Sequence, residues 1–197
     1  MTLKPHISPQ RKNPPAFIIT GPPQGGKTTC LQSIIPHLRE RGVRIHGFIA
    51  DGLMKDCIRT GFILEDLATG KRYPLSSSTP IPGAVQWKRF FFHPEGLQAG
   101  FSALSFQETS GLDLTIVDEV GPFEISGGVW APCLDQMVWE KPRPLLWVVR
   151  KSLLRDVISR WQLNDLEVFE IPVPDPEAVA GCIARRIKEW KEGISQE

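Results

Sequence analysis

The stretch that most constrains this chain is an apolar, β-prone run, Ala16-Phe17-Ile18-Ile19-Thr20, leading straight into Gly21-Pro22-Pro23-Gln24-Gly25-Gly26-Lys27-Thr28-Thr29. The pattern is G-x-x-x-x-G-K-T, and it stands after a strand and before a helix, the context in which it has physical meaning. Glycines let such a loop wrap an anion, so that successive backbone N–H groups and a helix N-terminus point at phosphate oxygens. Lys27 supplies a flexible point charge that reaches β- and γ-phosphates, and Thr28 a hydroxyl suited to ligating Mg²⁺. Gly21, Pro22, Pro23, Gln24, Gly25, Gly26, Lys27, Thr28 and Thr29 are therefore the expected phosphate-binding residues. A Gly/Pro turn that happens to end in Lys-Thr would explain the glycines but not the flanking strand and helix signals.

The second informative stretch is Leu112-Asp113-Leu114-Thr115-Ile116-Val117-Asp118-Glu119, an apolar strand ending in two carboxylates. In a parallel sheet that end faces the same edge as the phosphate loop. Asp118 is expected to hold Mg²⁺ opposite Thr28, and Glu119 to orient or deprotonate an attacking water. A strand ending in Asp-Glu is more often a solvated end when it stands alone. Its pairing with a phosphate loop changes the balance. Leu145 to Val149 reads as another buried strand, ending at Arg150-Lys151, so Arg150 faces the phosphate edge as a catalytic candidate, an arginine finger or sensor in cis. A solvated or ion-paired strand end is the alternative for Arg150.

The intervening pattern alternates strand and helix. Leu31, Ile34, Ile35 and Leu38 fall at helical spacing between Lys27 and Arg41, with Pro36 inside, where it is expected to kink the helix, and Gly42 as a stop. Val43 to Ala50 reads as a strand. Ile58 to Leu64 and Arg72 to Leu75, joined by Ala68-Thr69-Gly70-Lys71, read as an inserted hairpin. Ser76 to Gly83 reads as a connector, Arg89 to Phe92 as a short strand, Pro94 to Gln107 as a helix, and Val129 to Glu140 and Ser152 to Trp161 as further helices. Val168 to Ile171 is a last strand and Glu177 to Lys191 a closing helix. The fold class expected is α/β: a P-loop NTPase three-layer sandwich with a mostly parallel central sheet and an inserted β-hairpin. Residues 1–15 read as a flexible lead-in and 16–192 as a single domain.

Composition matters mainly for what it excludes. At 197 residues the chain is long enough for one well-buried core. A formal charge of +1 supplies no electrostatic reason to expect nucleic acid or an anionic membrane as partner, and no apolar run approaches a bilayer span. Cys30, Cys57, Cys133 and Cys182 are scattered, without metal-ligand spacing, as expected of reduced thiols in a cytoplasmic protein. Without a basic field, the six tryptophans point to packing more than to base stacking.

Taken together, Gly21 to Thr29, Gly47-Phe48, Arg59-x-Gly61-Phe62, the Gly70 hairpin, Asp118-Glu119-Val120-Gly121-Pro122-Phe123-Glu124 and Ser126 resemble the cancer-related nucleoside-triphosphatase family of small P-loop proteins. The resemblance runs from about Ala16 to Trp190. It implies an open α/β sheet and slow Mg²⁺-dependent hydrolysis of ATP, GTP and other nucleoside triphosphates. Ala50 and Gly52 depart from that pattern, where Thr and an acid are usual, as do Val149 in place of His and Pro174-Asp175-Pro176-Glu177 in place of an Asn-Arg pair. Glu124 is open to a capping or a site role. Two alternatives to hydrolysis stand beside it: a nucleotide-gated switch or maturation protein acting on a protein partner, and a small-molecule kinase covered by Arg150, Lys151, Arg155 and Arg160. The absence of Asn-Lys-x-Asp argues against a translational-type GTPase.

Overall fold

The apolar strand ahead of the phosphate loop is buried at every position, Ala16 to Gly21, as a strand covered on both faces must be. Alternate side chains of that strand enter two different cores. Phe17 and Ile19 join one apolar cluster and Ile18 the other. This computed structural model describes residues 13–105 and 111–194. Its elements in chain order are β1 (Ala16–Gly21), α1 (Lys27–Glu40), β2 (Ile45–Lys55), β3 (Ile58–Asp66), β4 (Arg72–Ser77), β5 (Val85–Trp87), β6 (Phe90–Phe92) and α2 (Pro94–Leu104). There follow β7 (Leu114–Val120), α3 (Pro122–Ile125), α4 (Ala131–Asp135) running on as a π turn, β8 (Leu145–Arg150), α5 (Leu154–Trp161) after a 3₁₀ turn, β9 (Leu166–Glu170) and α6 (Pro176–Ile194).

One nine-stranded sheet has the order β5-β6-β4-β3-β2-β7-β8-β1-β9. β2, β7, β8, β1 and β9 run parallel, and their C-terminal ends share one edge. On one face α1 and α6 pack through Leu31, Ile34, Leu38, Val179, Ile183 and Ile187. On the other, Leu104 of α2, Leu134 of α4 and Val157 and Trp161 of α5 cover Ile18, Val117 and Trp147. The result is helix, sheet, helix in three layers.

The sheet is mixed where a mostly parallel one was expected. β3, β4, β6 and β5 continue it antiparallel from the outer side of β2. The expected inserted hairpin is the middle of this continuous extension. The physical cause is the length of β2: its first half pairs with β7, and the rest runs out to Lys55 with only β3 as neighbour. Those outer residues are exposed on the way, so no buried face marks them in the sequence.

Other boundaries shift locally. The helix expected from Val129 to Glu140 begins at Ala131 and ends in a π turn, Gln136–Glu140. α1 continues through Pro36, which lies on its solvent face. Of the lead-in expected over 1–15, residues 1–12 lie outside the described residues, as does Gln107 at the end of the helix expected from Pro94. Among the described residues no helix is long and apolar enough to cross a membrane.

Candidate active site

Because β1, β7 and β8 run side by side in the same direction, the chain segments that leave their C-terminal ends must meet. Gly21, where the phosphate loop begins, is in register with Arg150 at the end of β8. The loop turns back on itself through the Gly25 N–H, which donates to the Pro22 carbonyl at 3.1 Å. Gly26 then enters α1 with φ of 89°, a left-handed conformation that costs glycine little and other residues more. Residues 22–26 are exposed, so the backbone that would cradle an anion faces open space.

Lys27, at 6 % exposure, folds over this loop and donates from Nζ to the Pro22 carbonyl at 2.8 Å. Burial holds its ammonium below the ordinary lysine range; the Glu119 charge pulls the other way, and Arg150 and Arg59 add to the depression. Thr28 Oγ1 donates to Asp118 Oδ2 at 2.8 Å. The same Asp118 oxygen faces the Ala50 N–H at 3.4 Å, so the middle of β2 also supports it. Asp118 is 2 % exposed, and burial pushes its carboxyl up to about 7 against the stabilising Thr28 hydroxyl.

Glu119 stands apart from Asp118. The register of β7 against β8 slips at this residue, and Glu119 is partly exposed at the cleft where Asp118 is enclosed. Arg150 donates from Nε to Glu119 Oε1 at 2.5 Å. A cavity of about 670 Å³ spans Gly26, Lys27, Thr28, Asp51, Glu119 and Arg150, a size that fits a nucleotide. Thr29 lines the same cavity with Pro23, Gln24 and Gly25. The carboxylate of Asp51 accepts from Gln32 of α1 at 2.8 Å and from Arg72 of β4 at 3.0 Å, tying the antiparallel extension to the phosphate side.

Glu124, 5 % exposed, caps α3 by accepting the Gly121 N–H at 2.8 Å. Burial drives its carboxyl up to about 7 although the Gly121 and Glu124 N–H groups favour the anion. Beyond Glu119 and Arg150 a second cavity of about 380 Å³ is walled by Phe62, Phe90, Phe92 and Trp87, with Trp87 stacked on Phe123 at 4.2 Å. The basic residues that could have formed a lid do not gather. Lys151 pairs with Glu170 and Arg160 with Asp135, while Arg150 is on Glu119.

Among the residues at the cavity, Asp51 was not singled out from sequence, and Arg59 entered only as part of the family resemblance, with no role given to it. Asp51 follows the apolar run that ends at Ala50, where an acid reads as a solvated residue, although β2 in fact continues through it to Lys55. Arg59 is the second residue of β3, where a basic residue by itself carries no local signal. Gly61 two positions on was the available hint, since glycine inside a strand marks a close approach.

The chain is also similar to proteins already known. A family model described as NTPase matches residues 16–183. The nucleoside-triphosphatase THEP1 of Metallosphaera sedula is 32 % identical over 149 residues, 73 % of this chain and 75 % of that protein. That of Methanosarcina barkeri is 28 % identical over 177 residues, covering 88 % and 97 %. Among solved structures, a human cancer-related nucleoside triphosphatase superposes with a TM-score of 0.64 at 20 % identity, over 89 % of this chain and 98 % of that one. THEP1 from Aquifex aeolicus gives 0.63 at 19 %, over 85 % and 96 %. With a phosphate loop closed against an acid-tipped strand, and a family match along nearly the whole described core, the chain belongs to the NTPase family of nucleoside-triphosphatases.

Proposed function

We propose that the chain hydrolyses nucleoside triphosphates, ATP and GTP with broad tolerance of the base, to the diphosphate and phosphate in a Mg²⁺-dependent reaction. The observation that carries this reading is the contact of Thr28 with Asp118 beside a phosphate loop, with Glu119 standing at the open side of the same cleft. Residues 21–29 would grip the phosphate tail through backbone N–H groups, and Lys27 would exchange its contact with the Pro22 carbonyl for phosphate oxygens.

Thr28 and Asp118 fit Mg²⁺: both present oxygen, and among the described residues no group of three or more His, Cys, Asp or Glu forms a cage. Mg²⁺ takes one or two protein oxygens and keeps water and phosphate oxygens for the rest. When bound it supplies charge neutralisation along the phosphates. Glu119 accepts a proton from water as the water oxygen bonds to the γ-phosphorus. The bond from that phosphorus to the bridging oxygen breaks, and its electron pair leaves with the diphosphate. Arg150, through its Nε contact, holds the Glu119 carboxylate in place. The free thiols of Cys30, Cys57, Cys133 and Cys182 suit a reducing, cytoplasmic setting.

A second reading is favoured by the aromatic cavity that opens on the same Glu119 and Arg150: phosphoryl transfer to a small, flat acceptor. The test is phosphate release from ATP, GTP, CTP and UTP, each with Mg²⁺ and with chelator, and no added acceptor. Hydrolysis predicts stoichiometric phosphate and diphosphate with all four and none under chelation. Absence of phosphate in every arm would contradict it and leave transfer or switching.

A further inference from the structure

In a cleft that must neutralise the charge of a transferring phosphoryl group, Lys27 is one cation and Arg150 is committed to Glu119. Arg59 of β3 lines the same cavity, and among the described residues no carboxylate is bonded to its Nε. Its Nε is buried, and among the described residues it meets no hydrogen-bond partner. A buried donor without an acceptor costs on the order of 1–3 kcal/mol, a cost that an anionic ligand in this cavity would remove.

The surroundings hold the guanidinium as if for a purpose. Its Cζ sits 5.0 Å from the centre of the Phe62 ring, a cation–π contact that orients it without neutralising it. The guanidinium also comes close to Gly52: a Cβ there would stand 2.7 Å from Arg59 Nε and 2.8 Å from Cζ. The backbone is pinned as well. Arg89 Nη2 donates to the Arg59 carbonyl at 3.0 Å, and two residues on, Gly61 approaches the Ser76 carbonyl too closely for any side chain. So β2, β4 and the turn before β6 all act on where Arg59 stands.

We propose that Arg59 is a catalytic residue of this chain, a guanidinium supplied in cis from the antiparallel extension that bonds the terminal phosphate as charge builds on it during cleavage. The proposal rests on the hydrolase reading above and adds the donor that reading leaves open. It assigns different work to two arginines: Arg59 touches phosphate, and Arg150 orients Glu119. Gly52 has a role in it too, since its missing side chain is what lets the guanidinium lie in the cleft.

The test compares wild type with Arg59→Ala, Arg59→Lys and Gly52→Ala, with Lys27→Ala as control. The readouts are kcat and KM for Mg-ATP, and melting temperature with Mg-ADP alone and with Mg-ADP plus aluminium fluoride, a mimic of the transferring group. Arginines in this role contribute about 10³–10⁵ to turnover. Arg59→Ala is expected to lower kcat at least about 100-fold with KM within about threefold, and to lose the extra stabilisation from aluminium fluoride while keeping that from Mg-ADP. Arg59→Lys recovers part of the rate. Gly52→Ala displaces the guanidinium and lowers kcat about tenfold without changing Mg-ADP binding. Unchanged kcat in Arg59→Ala, or a loss confined to KM, overturns the proposal. If Arg59→Ala does not fold, Arg59→Lys and Gly52→Ala decide it: wild-type kcat and aluminium fluoride response in both overturn it. A wild type that releases no phosphate overturns the hydrolase reading first, whereas wild-type turnover that is lost in Lys27→Ala yet survives in Arg59→Ala sinks this proposal alone.

Discussion

Thr28 and Asp118 are 90 residues apart in the chain, yet the hydroxyl of one donates to the carboxylate of the other at 2.8 Å. Thr28 is the second residue of α1, directly after the phosphate loop, and Asp118 comes near the end of β7, two strands from β1 across the sheet. The contact brings together two oxygens, one neutral and one able to carry charge, at the floor of the cleft.

That pairing predicts a metal effect that can be read without turnover. Wild type should gain thermal stability from Mg²⁺ plus ADP beyond ADP alone. Asp118→Asn, nearly isosteric, should keep the response to ADP and lose most of the Mg²⁺ increment, with metal affinity down on the order of 10–100-fold. An Mg²⁺ increment equal to wild type would take Asp118 out of the ion's coordination.

Glu124 predicts a stability effect of a different kind. Its carboxylate is the acceptor for the Gly121 N–H at the start of α3. Glu124→Ala leaves that buried donor unpaired and should cost about 1–2 kcal/mol in urea denaturation, with Glu124→Gln costing less because its amide oxygen still accepts. Unchanged stability together with lost turnover would move Glu124 from the cap into the chemistry.

His46 predicts a pH dependence. A carbonyl only accepts, so His46 Nδ1–H donates to the Ala103 carbonyl at 3.2 Å, and Nε2 accepts from the Thr115 hydroxyl at 2.6 Å. Burial, aided by the nearby Arg143 charge and opposed by Asp66, pushes this imidazole from 6.5 down to about 4. The folded chain therefore resists a proton that the unfolded chain takes. Its contribution is complete above about pH 6.5, is lost as pH falls toward about 4, and is worth about 3 kcal/mol in full. Between pH 7.5 and 5.0, wild type should lose about 2 kcal/mol more than His46→Gln in chemical denaturation. Parallel losses in the two proteins would show that His46 binds its proton equally in both states.

The parts legible in the sequence are those encoded locally. Ala16 to Thr29 carries strand, loop and helix start in one run, and the periods of α1, α5 and α6 are set by residues three and four apart. Asp118 and Glu119 were readable because the strand leading into them is largely apolar. What escaped is encoded across the sheet. β5 is a three-residue edge strand whose Trp87 matters because it stacks on Phe123, 36 positions away in the numbering and in another layer. The outer half of β2 is exposed and holds its shape only by pairing with β3. Arg59 and Gly52 were each readable against the family pattern, one as a match and one as a departure, but nothing in either neighbourhood pairs them.

Glu119→Gln is the most direct trial of the mechanism, because it keeps the shape of the side chain and removes its ability to take a proton. Phosphate release under single-turnover conditions, alongside nucleotide affinity, should find affinity unchanged and the rate down by about 10²–10⁴, the usual worth of a general base. A Glu119→Gln protein that releases phosphate at the wild-type rate would contradict the account.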